Sequence, residues 1–246
     1  MGSLPDHLIL EGMAPGKPVH LELPVADGAG LRAYLMRFDT QAFDASAFAQ
    51  HGVAQPPSIS RSVPKRQAEY FHGRLMARHA LSALGLDVGD IGMGASRQPL
   101  WPEGIVGSIS HAHGVVGAAV ERRGPRSGIG IDIERVASAE ACHALSETVV
   151  NDRELTYLKR EVAMLSLDLA LTTVFSAKES FFKAAFDVVG HYFDFSVVRL
   201  IDFQPGRGTM RLQLTEHLCD AFRQGDVIDV GACRIAGNML LTHIAW

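Results

Sequence analysis

The sequence predicts an α+β fold, and three features carry that prediction. Short segments such as VHLELPV (19–25) and GIGIDIE (128–134) alternate apolar with polar or small residues, the period of two that a half-buried strand requires. Two longer segments, near 64–84 and 169–186, repeat their apolar residues at helical spacing. Beyond residue 190 the chain is strand-like again, through DFSVVRLIDF, GTMRLQLTEH, DVIDVGACRIA and NMLLTHIAW. No low-complexity tract and no internal sequence repeat interrupts the pattern.

Each element has a local reason. VHLELPV and LRAYLMRF (31–38) are short strands joined by the turn DGAG. Residues 50–64, with QPPSIS and SVP, read as a loop. Pro64 suits the first turn of a helix that runs to about Leu84, and Gly85 stops it. IVGSISH (105–111) and VVGAAVE (115–121) pair across the turn AHG. RRGPRSG (122–128) is linker-like and marks a division between residues 1–124 and 125–246. Residues 138–170 carry two helical patterns with acidic and basic faces. The apolar helix LALTTVFSAKESFFKAAF then closes near Gly190.

A chain of 246 residues can bury a substantial core, as one large domain or two small ones. Its net charge of −4 argues against a broad nucleic-acid footprint, which would be basic. No apolar run has the length of a membrane span. The opening MGSLPDHLIL lacks a basic segment ahead of a long apolar one, so no signal peptide is expected. Asp6 stands where a myristoylation context would need Ser or Thr. Cys142, Cys219 and Cys233 are odd in number and show no CxxC spacing. Free thiols in a reducing, cytoplasmic setting are the expectation.

Four constellations could carry chemistry. In GIGIDIE the isoleucines face a core, while Gly128, Gly130, Asp132 and Glu134 share the other side. Two carboxylates about 7 Å apart on one face repel each other. The ordinary explanation is a solvated edge strand. The functional one is a divalent cation with a phosphorylated ligand, the glycines giving that ligand access to the backbone. In FSAKESFFKA (175–184), Glu179 and Lys183 lie one helical turn apart and would ordinarily form a surface ion pair. With Lys178, however, they sit in one of the most apolar helices, where charges tend to be paired or to serve a site.

The third constellation, WPEGIVGSISHAHG, brings Ser108, Ser110 and His111 to the end of a strand, where a loop could present them to a ligand. His111 and His113 also form HxH, but no further ligand follows at zinc spacing. The fourth is the basic helix KRQAEYFHGRLMAR. Arg66 and Arg74 are eight residues and about 12 Å apart on roughly one side, and could grip two phosphates of one extended ligand. Arg97, in the loop before Trp101, could add a third contact.

In this order, RQAEYFHGRLMAR, RQPLWPEGIVGSISH, GIGIDIE and FSAKESFFKA resemble the two-half type of 4'-phosphopantetheinyl transferase, above all the enterobactin-synthetase component D subgroup. The matching segments lie within residues 66–184. The resemblance implies two similar α+β halves related by a pseudo-twofold, with the active site in the cleft between them. It implies magnesium-dependent transfer of the phosphopantetheine arm of coenzyme A to a serine of an acyl- or peptidyl-carrier protein, releasing adenosine 3',5'-bisphosphate. By motif, Asp132, Glu134 and Glu179 would hold the ion, and Lys183 would stand beside the pyrophosphate. Ser110 and His111 would meet a coenzyme A phosphate, and Arg66, Arg74 and Arg97 the adenosine 3'-phosphate end. Glu179 or a metal-bound water would take the serine proton.

The subgroup likeness favours siderophore, non-ribosomal peptide or polyketide carriers, with Lys65–Gln67 and Phe181 as parts of a docking surface. The two built-in halves suit a monomer. Two rivals make different predictions. A coenzyme A or carrier-protein sensor without chemistry would add no mass to an apo-carrier, and an HxH hydrolase would hold zinc.

Overall fold

The computed structural model describes residues 3–246. The first half runs β1 (Val19–Pro24), β2 (Gly30–Arg37), α1 (Ser46–Gln50), α2 (Pro57–Ser60), α3 (Pro64–Ala83), β3 (Gly92–Met93), β4 (Pro99–Leu100), β5 (Ile105–Ala112) and β6 (Val115–Arg122). The second runs β7 (Ile129–Arg135), α4 (Ala139–Thr148), α5 (Asp152–Glu161), α6 (Leu167–Val189), β8 (Val198–Gln204), β9 (Thr209–Leu214), β10 (Val227–Ala236) and β11 (Met239–Ala245). The segment expected as a loop over 50–64 holds α2 and the end of α1. Their apolar residues Phe48 and Ile59 bury against Tyr70 and Phe71 of α3, so tertiary packing overrides weak local helix signals.

Each half builds an antiparallel sheet with one long helix across it. The first sheet has the order β1-β2-β6-β5 and the second β7-β11-β10-β9-β8. Helix α3 starts at Pro64, whose missing N–H costs nothing in a first turn, and stops before Gly85 at φ 76°. It packs Ala68, Met76, Ala77 and Leu81 on Tyr34, Met36, Val116 and Ala118 of the first sheet. Helix α6 packs Leu171, Val174, Ala177 and Phe181 on Leu212 and Leu240 of the second. The remaining faces meet each other: Leu23, Leu31 and Leu35 share a core with Ile129, Ile131, Ile133, Ile235 and Leu241. The layers therefore run helix, sheet, sheet, helix.

Strands β5 and β7 are edge strands of the two sheets and lie side by side without pairing in a backbone ladder. Serine side chains close the seam. Ser108 Oγ accepts from Ile131 N and Ser110 Oγ from Ile133 N, both at 3.0 Å. Two edge N–H groups that burial would otherwise leave orphaned are thus satisfied. The short turn into β6 supports this register, since His113 and Gly114 have φ of 47° and 77°, the positive pair a type I′ hairpin needs.

On the other face of β7 the structure corrects one expectation. Gly128 and Gly130 do not give a ligand access to the backbone; they admit helix α6. A Cβ on Gly130 would overlap the carbonyl oxygen of Ser180, and one on Gly128 that of Ala184. Ser176, Ser180 and Ala184, at four-residue spacing, are the small residues that let the helix come this close.

The N-terminal segment belongs spatially to the second half. Asp6 bridges to Arg234, Leu10 N donates to Ile235 O, and Leu4 is buried in the α6 core. We propose the division of the chain at residues 124 and 125, where Arg126 ties the connector to Asp27 and Glu121. Among the described residues, no helix is long and apolar enough to cross a membrane. All three cysteines are free.

The close approach of α6 to β7 has a measurable consequence. Gly130→Ala is expected to cost upward of about 3 kcal/mol in denaturant unfolding, because a backbone carbonyl cannot rotate away as a flexible side chain can. Gly225→Ala, at an open turn with φ 92°, costs less, because nothing lies within 4 Å of the added methyl.

Candidate active site

The site is built where β5, β7 and α6 converge. Alternation along β5 divides the GSISH motif into two faces. Ser108 and Ser110 turn to the seam and are buried, while Gly107, Ile109 and His111 line the cleft. Ser110 was expected to touch a coenzyme A phosphate, but its hydroxyl is already engaged beneath the cleft floor. It accepts from Ile133 N and Lys183 Nζ and donates to Asp132 Oδ1 at 3.0 Å.

Asp132 is 3% exposed and held from three sides. Its Oδ1 takes the Lys183 ammonium at 2.7 Å and Ser110; its Oδ2 takes Ser176 Oγ at 2.8 Å. Ser176 and Ser180 both hydrogen-bond Thr242 of β11, which extends the network through the sheet. Lys183 does not form the helical ion pair with Glu179 that the four-residue spacing suggested. It reaches across to Asp132, Ser110 and Ile131 O instead. The reason is burial: an ammonium close to a buried carboxylate gains more there than beside a partly solvated one.

Lys178 leaves the site altogether. Only 1% exposed, it pairs with Glu154 at 3.0 Å and donates to Val149 O. Glu154 in turn accepts from Leu200 N and from Asn151 N, where it closes the capping box of α5. This is a structural ion pair joining α6, α5 and β8. Phe181, read from sequence as a docking residue, is likewise buried, against Phe193 and Phe222.

The acids next to this node repel one another. Burial first, then the charges of Asp132 and Glu179, push Glu134 up to about 7. Burial also raises Glu179, with Asp132 adding to the shift and Lys183 opposing it. Among the described residues, no three His, Cys, Asp or Glu side chains are grouped closely enough to hold a metal ion as they stand. The HxH pair forms no such group either, because His113 sits in the turn and His111 is committed elsewhere.

At the other end of the cleft the lining is basic. Arg66, Arg74 and Arg97 surround a cavity of about 130 Å³ with Tyr70, Glu69 and His111. Arg66 Nη1 donates to His111 Nε2 at 2.8 Å, so that nitrogen carries the lone pair and the imidazole is neutral. Burial and the Arg66 and Lys183 charges hold His111 down at about 4. Arg74 is 5% exposed and stacks over the ring face of Tyr70, 4.5 Å from its centroid. Its Nη2 donates to Gly92 O, and burial lowers its pKa. Its Nε, like the Tyr70 hydroxyl, has no hydrogen-bond partner. A buried donor left this way costs about 1–3 kcal/mol.

Arg97 holds a left-handed φ of 67° in the tight β3–β4 turn, an unfavourable backbone for a residue with a Cβ. It lines both this cavity and a neighbouring one of about 210 Å³. That second cavity runs between Trp101, Ile109, Phe182, Lys183 and Phe186, from one half to the other. Its aromatic wall was not foreseen, although FSAKESFFKAAF does place Phe182 and Phe186 one turn apart.

Three arginines line one cavity, Lys183 lines its neighbour, and three mutually repelling acids stand beside that lysine; comparison with known proteins gives this arrangement a family. Residues 54–121 match the 4'-phosphopantetheinyl transferase N-terminal domain, and residues 128–233 the 4'-phosphopantetheinyl transferase superfamily. The chain belongs to the 4'-phosphopantetheinyl transferase superfamily. It is 39% identical to enterobactin synthase component D of Salmonella typhimurium, over 69% of this chain and 68% of that protein. It is 34% identical to the protein of that name from Escherichia coli (strain K12), over 69% and 76%. It is 37% identical to 4'-phosphopantetheinyl transferase Svp of Streptomyces mobaraensis, over 63% and 62%. The chain is therefore an enzyme of this class, transferring phosphopantetheine from coenzyme A to a carrier protein.

His111 supplies a pH test of the site geometry. The unfolded imidazole takes up its proton near 6.5 and the folded one only near 4, so stability falls as pH drops through that window. His243, also held at about 4, contributes to the same fall. His111→Gln keeps an acceptor for Arg66 but cannot titrate. Denaturant unfolding at pH 7 and pH 5 should show the variant losing less stability than the parent, by roughly 1–2 kcal/mol.

Proposed function

We propose that coenzyme A lies along the cleft, its adenosine 3'-phosphate end among Arg66, Arg74 and Arg97 and its diphosphate beside Lys183. Charge carries this reading. The arginine end holds an unpaired, buried guanidinium and suits a phosphate directly. The acidic end would repel a diphosphate unless a cation came with it. His111, neutral and tied to Arg66, lines the arginine end and fixes the pose of that side chain.

Magnesium fits the oxygen-only donors present. Asp132, Glu134 and Glu179 would hold it, with waters and phosphate oxygens completing the set. Because the three acids are not grouped closely enough as they stand, their side chains would have to draw together around the ion. When bound, it supplies charge withdrawal from the diphosphate as the bond breaks.

The residues of the chain do the remaining work. The carrier serine Oγ bonds to the phosphorus that bears the pantetheine arm, and the diphosphate P–O bond breaks to release adenosine 3',5'-bisphosphate. Glu179 accepts the serine proton. Lys183 donates to the departing phosphate oxygen, and Ser110 and Asp132 hold its ammonium on the correct side of the seam. The exposed Lys65 suits an acidic carrier surface. The names of the relatives support a role in siderophore or related secondary metabolism; that the chain works as a cytoplasmic monomer belongs to the same proposal and rests on its two built-in halves and free cysteines.

Asp132→Asn, Glu179→Gln and Glu134→Gln preserve shape while removing charge. Each is expected to lower transfer at least about a hundredfold, read as the phosphopantetheine mass gained by an apo-carrier over time. Unchanged rates in Asp132→Asn and Glu179→Gln would end this reading. Running the assay with peptidyl- and acyl-carriers in parallel identifies the partner class.

A further inference from the structure

The basic cavity contains one donor that neither the motifs nor the family match assigns. Tyr70 stands on α3 between Arg66 and Arg74, one turn from each. Its ring is fixed from two sides, by Phe48 at 6.3 Å between centroids and by the Arg74 guanidinium stacked over its face. Phenols that serve only as packing usually find a hydrogen-bond partner when buried. This one has none, and the neighbouring Arg74 Nε has none either.

Both side chains line the same cavity of about 130 Å³, with Arg66, Arg97, His111 and Glu69 as the other polar groups. Glu69 lies 3.8 Å from Arg66 and 4.0 Å from Lys65, so its charge is balanced locally. His111 is held neutral by Arg66 and offers no counter-charge. What remains is donor-rich: the Arg74 and Arg97 guanidiniums and an unpartnered phenol. Its complement is a group with several acceptor oxygens and at least one negative charge, which describes a terminal phosphate monoester.

We propose that Tyr70 is a specificity-determining residue whose hydroxyl donates to the terminal 3'-phosphate of coenzyme A, alongside Arg74 Nε. The proposal rests on the reading of this cavity as the adenosine 3'-phosphate end of the cleft. It goes beyond that reading by assigning part of the discrimination between coenzyme A and dephospho-coenzyme A to one neutral group. Tyr70→Phe isolates that group, because it keeps the ring, its stacking with Arg74 and its contact with Phe48.

The test compares coenzyme A with dephospho-coenzyme A as donors to one apo-carrier, in the full chain and in Tyr70→Phe. The parent should prefer coenzyme A. In the variant, kcat/KM for coenzyme A should fall on the order of tenfold, through KM, while the value for dephospho-coenzyme A stays put. Calorimetry should show the same selective loss for adenosine 3',5'-bisphosphate against adenosine 5'-monophosphate. A parent that prefers coenzyme A, with a variant that keeps the full preference, overturns the role of Tyr70 and leaves the cavity reading standing. Equal losses on both donors overturn it too, because they mark a structural effect. A parent indifferent to the 3'-phosphate overturns the cavity reading itself, and the Tyr70 assignment with it.

Discussion

Two sheet edges that never form a ladder hold this site together. A buried strand edge ordinarily demands a partner strand, because its N–H groups have nowhere else to go. Here β7 presents Ile131 N and Ile133 N to two serine hydroxyls of β5. Side-chain bonds in place of a ladder let the two halves meet without fusing into one sheet, and so leave a cleft beside the seam. Ser110 serves both ends of that arrangement. The oxygen that caps Ile133 also fixes Asp132 and the Lys183 ammonium, so the reactive node is registered to the joint between the halves.

The opposite face of the same strand is equally constrained. Asp132 can be reached by Lys183 and Ser176 only because Gly128 and Gly130 bring α6 nearly into backbone contact. The isoleucines of β7 meanwhile anchor the strand in the inter-sheet core. The strand therefore satisfies three neighbours at once: β11 through its ladder, β5 through serines, and α6 through glycines. Any residue larger than glycine at position 130 would displace the helix that carries Lys183 and Glu179, far more than it would disturb the strand.

The sequence disclosed what depends on periodicity and spacing. Strand alternation separated the isoleucine face of β7 from its acidic face, Pro64 and Gly85 bounded α3, and Gly190 closed α6. Helical spacing correctly set Arg66 and Arg74 on one side, where they line one cavity. Partner choice was not legible. Four-residue spacing offers Glu179 to Lys183, yet the lysine selects a carboxylate fifty-one residues away in the chain, because burial decides the contest and burial is a tertiary property. Lys178 and Lys183 look alike within FSAKESFFKA, but one points into the α5 capping box and the other into the cleft. The buried phenol of Tyr70 gives no signal in sequence at all, since an unpartnered hydroxyl is visible only once every neighbour is placed.

The site is electrically polar, basic around Arg66, Arg74 and Arg97 and acidic beside Lys183, and that polarity bears on how an elongated anion can be accommodated. At the arginine end, Arg74 is buried without a direct carboxylate ion pair, Asp90 acting on it only as a more distant charge, so a ligand anion would find its guanidinium poorly compensated. At the acidic end the imbalance has the opposite sign: Asp132 is matched by Lys183, while burial and the Asp132 charge raise both Glu134 and Glu179, and Glu179 adds to the shift of Glu134. A ligand bearing phosphate at both ends relieves the first imbalance and worsens the second. Only a phosphate that arrives with its own cation relieves both. The same arrangement would therefore penalise an anion that lacks a metal, coupling the two through the charge of the pocket rather than through a moving part.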